Sequence, residues 1–247
     1  MIFGDMDTFS ILRNSGLLFI SLCFSCLVVN SQDISLIRLE DVPQRKVRAY
    51  IISNSINMMD NFSLIKPSWK SDVPESEFHL LSQKFTIKNK LSDVWYHYSH
   101  VNLKKSFTRH SVRFGLLLKK YSNTVVYAKD MLYPEIDTGQ VYFLNLRLLL
   151  GLLNVPVAFE IINIDPEQMI VEFSYIDSNK EKGKQTLKFS DSGDGSTTVL
   201  HLSYFKSNSA IRDGMFYPLL HRKFINEFHR NMKQGIENSQ LTASVPR

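Results

Sequence analysis

Cysteine is nearly missing from this chain: its 247 residues hold only Cys23 and Cys26. The body of the protein therefore has no intrachain disulfide, no zinc cluster built on thiolates and no cysteine nucleophile. Glycine and proline are also scarce, ten and eight against seventeen Phe and ten Tyr, which excludes collagen-like and low-complexity architectures. No segment of roughly twenty to fifty residues recurs, so solenoids and propellers drop out. The GxSxG elbow of a serine hydrolase is absent. Gly193-Asp194-Gly195 is followed by neither the lysine nor the helix of a phosphate loop. Lys and Arg outnumber Asp and Glu, 29 to 24, for a formal charge of +5. These cations are scattered, as at Lys119-Lys120, Lys180, Lys184 and Arg222-Lys223, and form no basic stripe of the kind nucleic acid requires. We expect no nucleic-acid partner, and at most a peripheral attraction to anionic membrane surfaces.

Long hydrophobic runs are lacking too. Residues 15–29 (SGLLFISLCFSCLVV) would extend about 22 Å as a helix, short of the ~30 Å hydrocarbon core. That length suits the apolar centre of a secretory signal, with Val29 and Ser31 ahead of Gln32 as the small or modest residues a signal peptidase reads. Residues 1–31 are expected to be a signal peptide, placing the protein in an exported compartment, periplasmic or extracellular. Its removal takes away one Arg and two Asp and raises the formal charge by one. The leader carries Asp5 and Asp7 against a single Arg13, whereas secretory leaders usually begin positive. An uncleaved anchor formed by residues 15–29 is the alternative. Lipid attachment at Cys26 is disfavoured by the bulky Phe24.

Residues 32–76 read as an irregular N-terminal arm. Stretches 37–39 and 47–52 are candidate short strands, broken by Pro43, Pro67, Pro74 and an Asn/Ser/Asp-rich segment over 53–61; Asn61-Phe62-Ser63 fits a glycosylation sequon. Regular signals begin at residue 77. A strand over 78–87 precedes a helix capped by Ser92 and carrying Val94, Trp95 and Tyr98 at helical spacing, with a second short helix over 101–106. Strands follow over 112–118, 124–129, 140–146, 156–164, 169–176, 184–189 and 197–206, at antiparallel meander spacings. The last two are joined by the hairpin turn at Gly193-Asp194-Gly195. From about residue 210 the period changes to three to five: Ile211, Met215, Leu219, Leu220, Phe224, Phe228, Met232 and Ile236 mark an amphipathic helix to Ile236, with Pro218 expected to kink it. A polar, loose tail over 237–247 completes the chain.

The order of elements implies an α+β fold in which a curved antiparallel sheet wraps a long C-terminal helix, with one or two short helices after the first strand. Alternation places Val155, Val157, Phe159 and Ile161, then Met169, Val171, Phe173 and Tyr175, on the face toward that helix, continued by Leu187 and Phe189. The last strand leaves its inward face open between Val199, His201, Phe205 and Leu200, Leu202, Tyr204. This order, with Ser92-Asp93-Val94-Trp95 opening the first helix and Tyr217-Pro218-Leu219-Leu220 within the last, resembles the SRPBCC superfamily of START-related, Bet v 1-like and polyketide cyclase-like proteins over residues 77–236. The resemblance implies a helix-grip fold with an apolar cavity between sheet and helix for lipids, sterols, polyketides or similar molecules.

Phe159, Phe173, Tyr175 and Phe228 sit where an apolar ligand would touch both sheet and helix, although each taken singly is explained as core. Ile161, Val171 and Phe224 complete the candidate lining. Tyr142, Tyr175 and His201 are polar-tipped candidate anchors. His97 and His100 lie three apart on a helix without an intervening Glu. His221 and His229 lie eight apart, on a face read as shared with Arg222 and Arg230, which would repel a cation. No metal, cofactor or catalytic residue is assigned. The expected role is binding or transport of a hydrophobic small molecule. The alternatives are a cyclase- or hydrolase-like enzyme using Tyr175 or a His as acid or base, and an adaptor with a closed cavity whose arm meets a partner protein.

Overall fold

The computed structural model describes residues 35–100, 103–107, 111–209 and 217–243. The expectations for residues 1–31, and for the last four residues of the tail, lie outside the described residues. Strand β1 (His79–Ile87) is followed by two short helices, α2 (Leu91–His100) and α3 (Leu103–Ser106). An earlier helix, α1 (Arg45–Ser53), lies in the N-terminal arm. The remaining strands are β2 (Val112–Lys119), β3 (Thr124–Tyr127), β4 (Gln140–Leu148), β5 (Leu153–Asp165), β6 (Ile170–Tyr175), β7 (Lys182–Asp191) and β8 (Thr197–Lys206), and the long helix α4 (Tyr217–Ala243) closes the fold. All eight strands form one antiparallel sheet in the order β1-β8-β7-β6-β5-β4-β2-β3. This is the helix-grip arrangement: one face of the sheet packs on α4, α2 and α3 around a core of aromatic and aliphatic side chains.

The inward set over β5 to β7 follows the alternation, with Phe159, Ile161, Val171, Phe173, Leu187 and Phe189 in that core. A bulge between Ile161 and Asn163 shifts the register. Beyond it the even-numbered Ile164 faces inward instead, as one extra residue in the strand requires. The open question on β8 is resolved in favour of the odd positions: Val199, His201, Ser203 and Phe205 are buried.

Four expectations are corrected. The plain meander fails at β3, because β4 returns past it to pair with β2 and leaves β3 at the edge. Ser92 lies inside α2 instead of capping it; the Lys90 carbonyl accepts the N–H groups of Asp93 and Val94. The expected start of the closing helix over residues 210–216 lies outside the described residues, and α4 is described from Tyr217 on. The helix runs through the expected loose tail to Ala243.

The fourth correction is the largest. The stretch read as a strand over 47–52 is the helix α1, and the arm is packed, not irregular. Val47 and Ile51, four apart, are fully buried while Ala49 and Ile52 face solvent, a helical period that a strand cannot present. Val47 and Ile51 join Ile37, Val42, Ile56, Phe62 and Ile65 in a second core with Leu116, Leu118, Val141, Phe143 and Ala158 on the outer face of the sheet. A bulge between Phe114 and Leu116 holds Gly115, where a Cβ would fall 2.8 Å from the Phe143 carbonyl oxygen and 3.1 Å from Val47 Cγ1. Only glycine lets α1 approach this closely.

Ile51→Ala is therefore expected to cost ~2–5 kcal/mol in a urea melt, whereas Ile52→Ala, one residue on and exposed, should shift it by no more than ~0.5 kcal/mol. Equal small losses at both would mean that the arm is not part of the core.

Candidate functional site

Helix α4 turns Tyr217, Leu220, His221, Phe224 and Phe228 toward the sheet at intervals of three and four, one stripe of a 3.6-residue helix. Two adjoining spaces separate this stripe from the strands. The inner one, about 90 Å³, lies among Phe107, Leu144, Phe159, Phe173, Gln185, His201 and Phe228. The outer one, about 290 Å³, is walled by Leu148, Val155, Lys180, Glu181, Tyr217 and Leu220. Leu146, Val157, Tyr175, His221 and Phe224 line both.

Of the nine residues nominated from the sequence, Phe159, Phe173, Tyr175, His201, Phe224 and Phe228 are brought together around this cavity. Ile161 and Val171 are not. They sit at the opposite end of the grip, where Tyr98, Phe107 and Phe228 leave only about 20 Å³. Tyr142 is also excluded: its ring stacks on Phe159 at 5.3 Å, and its hydroxyl donates to Gln140 Oε1 at 2.7 Å. It is a core residue with a satisfied hydroxyl, because it lies further along β4 from the open end than Leu144, Leu146 and Leu148, which line the spaces.

The buried hydroxyl, imidazole and amide groups in and behind the cavity are paired with one another, while Lys180 and Glu181 stand at its outer wall. Tyr98 Oη meets His229 Nδ1 at 2.8 Å, His229 Nε2 meets His201 Nδ1 at 2.8 Å, and His201 Nε2 meets Gln185 Oε1 at 2.7 Å. Gln185 Nε2 donates to Tyr175 Oη at 3.3 Å, and Tyr175 Oη is hydrogen-bonded to Tyr217 Oη. With the Gln185 amide oriented this way, His201 carries its proton on Nε2 and accepts at Nδ1. His229 then donates from Nε2, and Tyr98 donates to His229 Nδ1. Each group donates to the next along a chain from α2 through α4 and the sheet back to α4. Flipping the Gln185 amide would reverse these donors and acceptors and leave the proton of the buried Tyr98 hydroxyl without an acceptor in the relay, so the orientation above is the one the network favours. Separately, His221 Nε2 lies 2.8 Å from Ser203 Oγ on β8.

Burial holds these imidazoles neutral. It lowers His221 and His229 to about 3. It also takes His201 well below its ordinary value, with the His229 and His221 rings adding to the effect. The same loss of water raises the Tyr98 and Tyr175 hydroxyls.

Sequence reasoning missed Gln185, Tyr98, His229 and Tyr217. Gln185 was within reach, being two residues before the inward Leu187. His221 and His229 share a helix face with Phe224 and Phe228, while Arg222 and Arg230 are exposed. The expectation that the arginines share that face is thus corrected, since successive helical residues are rotated by about 100°. Among the described residues no group of three or more His, Cys, Asp or Glu could hold a metal ion.

No protein-family model matches the sequence, and no curated protein matches it. Among solved structures, the chain is similar to norcoclaurine synthase from Thalictrum flavum in complex with dopamine and hydroxybenzaldehyde, at 9% identity, covering 72% of this chain and 96% of that one, with a TM-score of 0.48. It is similar to major latex-like protein 151 from Panax ginseng at 14% identity, covering 64% and 96%, with a TM-score of 0.46. It is also similar to Ara h 8.0201 at 10% identity, covering 65% and 98%, with a TM-score of 0.45. These have the Bet v 1-like helix-grip fold, the group that the order of elements resembles. Likenesses at this distance concern the fold alone.

A histidine held neutral by burial in the folded state but free to protonate at its ordinary value when unfolded makes stability fall with pH. The contribution is complete above about pH 6.5 and is lost as pH falls toward 3, by roughly 1.4 kcal/mol per pH unit for each histidine. Urea melts between pH 7 and pH 4 should therefore show a steep loss of stability, and His229→Gln should make the slope shallower. A slope unchanged by that substitution would mean that His229 is not buried neutral.

Proposed function

We propose that this protein binds a hydrophobic small molecule in the cavity between α4 and strands β4 to β6. The observation that carries the reading is a half-open, mainly apolar space whose buried hydroxyl, imidazole and amide groups are hydrogen-bonded without a ligand. An apolar molecule entering it strips no hydrogen bond from the protein, so desolvation does not oppose binding. The outer space, about 290 Å³, stands at the small end of ligand pockets, roughly 300–1,000 Å³. A dry cavity of about 150 Å³ already takes benzene. A fatty acyl chain or a small ring system fits this volume better than a fused polycycle, and a terminal hydroxyl or carboxyl can reach the Tyr175–Tyr217 pair.

The relay of hydroxyl, imidazole and amide groups favours acid–base chemistry as a second reading, because a proton can be passed along it with each group changing roles. Both nitrogens of His201 are engaged, however, and the only relay hydroxyls facing the cavity are those of Tyr175 and Tyr217. Binding therefore accounts for more of the site than catalysis does.

Val157→Trp should abolish uptake of a fluorescent fatty acid while circular dichroism stays that of the unmodified protein, because Val157 faces both spaces. If the unmodified protein takes up no such probe, the binding reading fails and that of a closed-cavity adaptor replaces it.

We further propose that the protein acts after export, a reading supported by the sequence of residues 1–31 alone. N-terminal sequencing of protein from its native host should begin near Gln32. An intact Met1 in the membrane fraction would overturn export in favour of an anchor.

A further inference from the structure

Of the large apolar side chains, the four most exposed lie in two loops, the β4–β5 turn and the β3–β4 loop, ahead of Tyr121 and Met58 elsewhere at 78% and 76%. In the turn between β4 and β5, Leu149, Leu150 and Leu152 are 70%, 98% and 89% exposed, and in the β3–β4 loop Met131 and Leu132 are 95% and 89% exposed. Both β3 and β4 run antiparallel to β2, so the β4–β5 turn leaves the sheet at the end where β2 begins, and the β3–β4 loop sets out toward that end from Tyr127, opposite Leu116, before rejoining at Gln140, opposite Lys119. The first turn of α4 adds Leu219, 66% exposed. Its neighbours Tyr217 and Leu220 wall the outer cavity together with Leu148 and Val155 at the base of the β4–β5 hairpin. The apolar tips therefore stand at the end of the molecule where the cavity lies.

The hairpin tip is held in this form at a cost. Leu149, Leu150 and Gly151 all have left-handed backbones, with φ of 48°, 58° and 94°, a conformation in which a leucine Cβ crowds its own carbonyl. No packing offsets that strain, since the leucines touch little. The Arg147 side chain lies against Gly151, where a Cβ would fall 2.5 Å from its guanidinium nitrogen. Lys180, exposed on the β6–β7 turn, walls the outer cavity. Two acids flank it: Asp177, engaged by Lys182 at 3.5 Å, and Glu181, which also walls the outer cavity. Apolar tips with long cationic side chains set behind them match the layering of acyl chains beneath phosphate headgroups. The tips come from three places, with three leucines in one hairpin turn, Met131 and Leu132 in a second loop and Leu219 on α4. A fluid surface can yield to each of them, whereas a folded partner would have to match all of them at once.

We propose that this end of the protein docks on a lipid bilayer, with Leu149, Leu150 and Leu152 sunk among the acyl chains and Arg147 and Lys180 at the headgroups. The cavity is then held against the membrane. What enters it rests on the binding reading above; the docking is tested apart from it.

The full chain is sedimented with vesicles of phosphatidylcholine and phosphatidylglycerol. The double substitution Leu150→Asp/Leu152→Asp should lower partitioning at least ~tenfold, while the urea midpoint and fatty-acid uptake in vesicle-free buffer stay unchanged. Leu150→Trp should show a blue-shifted emission on vesicles and quenching by brominated lipid. Docking through this tip is overturned if the unmodified protein does not sediment, or if the double variant sediments equally, as it would were residues 15–29 responsible. A dimer in vesicle-free solution that the double variant abolishes would overturn it in favour of a second copy of the chain. Normal vesicle docking by a protein that takes up no probe would uphold the surface and defeat the binding reading alone.

Discussion

The setting of α4 against the sheet is decided by polar side chains, and the rest of the structure depends on it. Its apolar stripe of Phe224, Phe228, Met232 and Ile236 would tolerate a shift along the axis, because apolar contact is non-directional. Its buried polar groups would not. His221 is bonded to Ser203 on β8, and His229 to both His201 on β8 and Tyr98 on α2. The Glu227 carboxylate accepts the Ser111 N–H, and Asn231 Nδ2 donates to the Ser106 carbonyl. A slip of one turn would leave these groups buried and unpaired, at a cost of about 1–3 kcal/mol apiece. The helix is thereby pinned in one register, and the width of the space beneath its first turns follows.

The sheet is covered on both faces, which decides where a ligand can go. The N-terminal arm closes the outer face with its own aliphatic core, and beneath it Glu160 is paired with Lys120 at 2.8 Å. Burial raises the Glu160 carboxyl even though Lys120 pulls it down, so this pair is a tolerated charge under a lid of chain. A space of about 220 Å³ remains under the arm beside Ile56, Leu64 and Asp177, and the larger, more apolar opening lies on the inner side. Within the inner side, the stacked and edge-on rings of Tyr98, Phe107, Phe159 and Phe228 fill one end. The cavity is thus confined to the end that carries the β4–β5 hairpin and the start of α4.

That asymmetry joins the two proposed properties. The end that is loosely filled inside is also the end that is apolar outside, and both follow from the same run of leucines: Leu144, Leu146 and Leu148 line or border the inner spaces, while Leu149, Leu150 and Leu152 continue the chain into solvent. A strand that turns its side chains alternately in and out here passes into a strained turn that directs them outward.

What the sequence determined by itself was whatever depends on local periodicity. The strands of the sheet, the two short helices after the first of them, the long closing helix and the inward odd-numbered face over β5 to β7 were all legible, because each is a pattern of period two or near four that repeats over a whole element. Six of the nine nominated residues reached the cavity for that reason. The tertiary structure alone decided the rest. Val47 and Ile51 are two residues on one turn of a short segment, too few to separate helix from strand until the outer face of the sheet selects the helical spacing. Ile161 and Val171 share the inward face with Phe159 and Phe173, and alternation assigns a face without saying how far along it the packing closes. The relay joins Tyr98, His229, His201, Gln185, Tyr175 and Tyr217 from five elements across as many as 131 residues. No periodicity encodes that convergence, because hydrogen-bond geometry is set by distances between atoms that only the folded chain brings together.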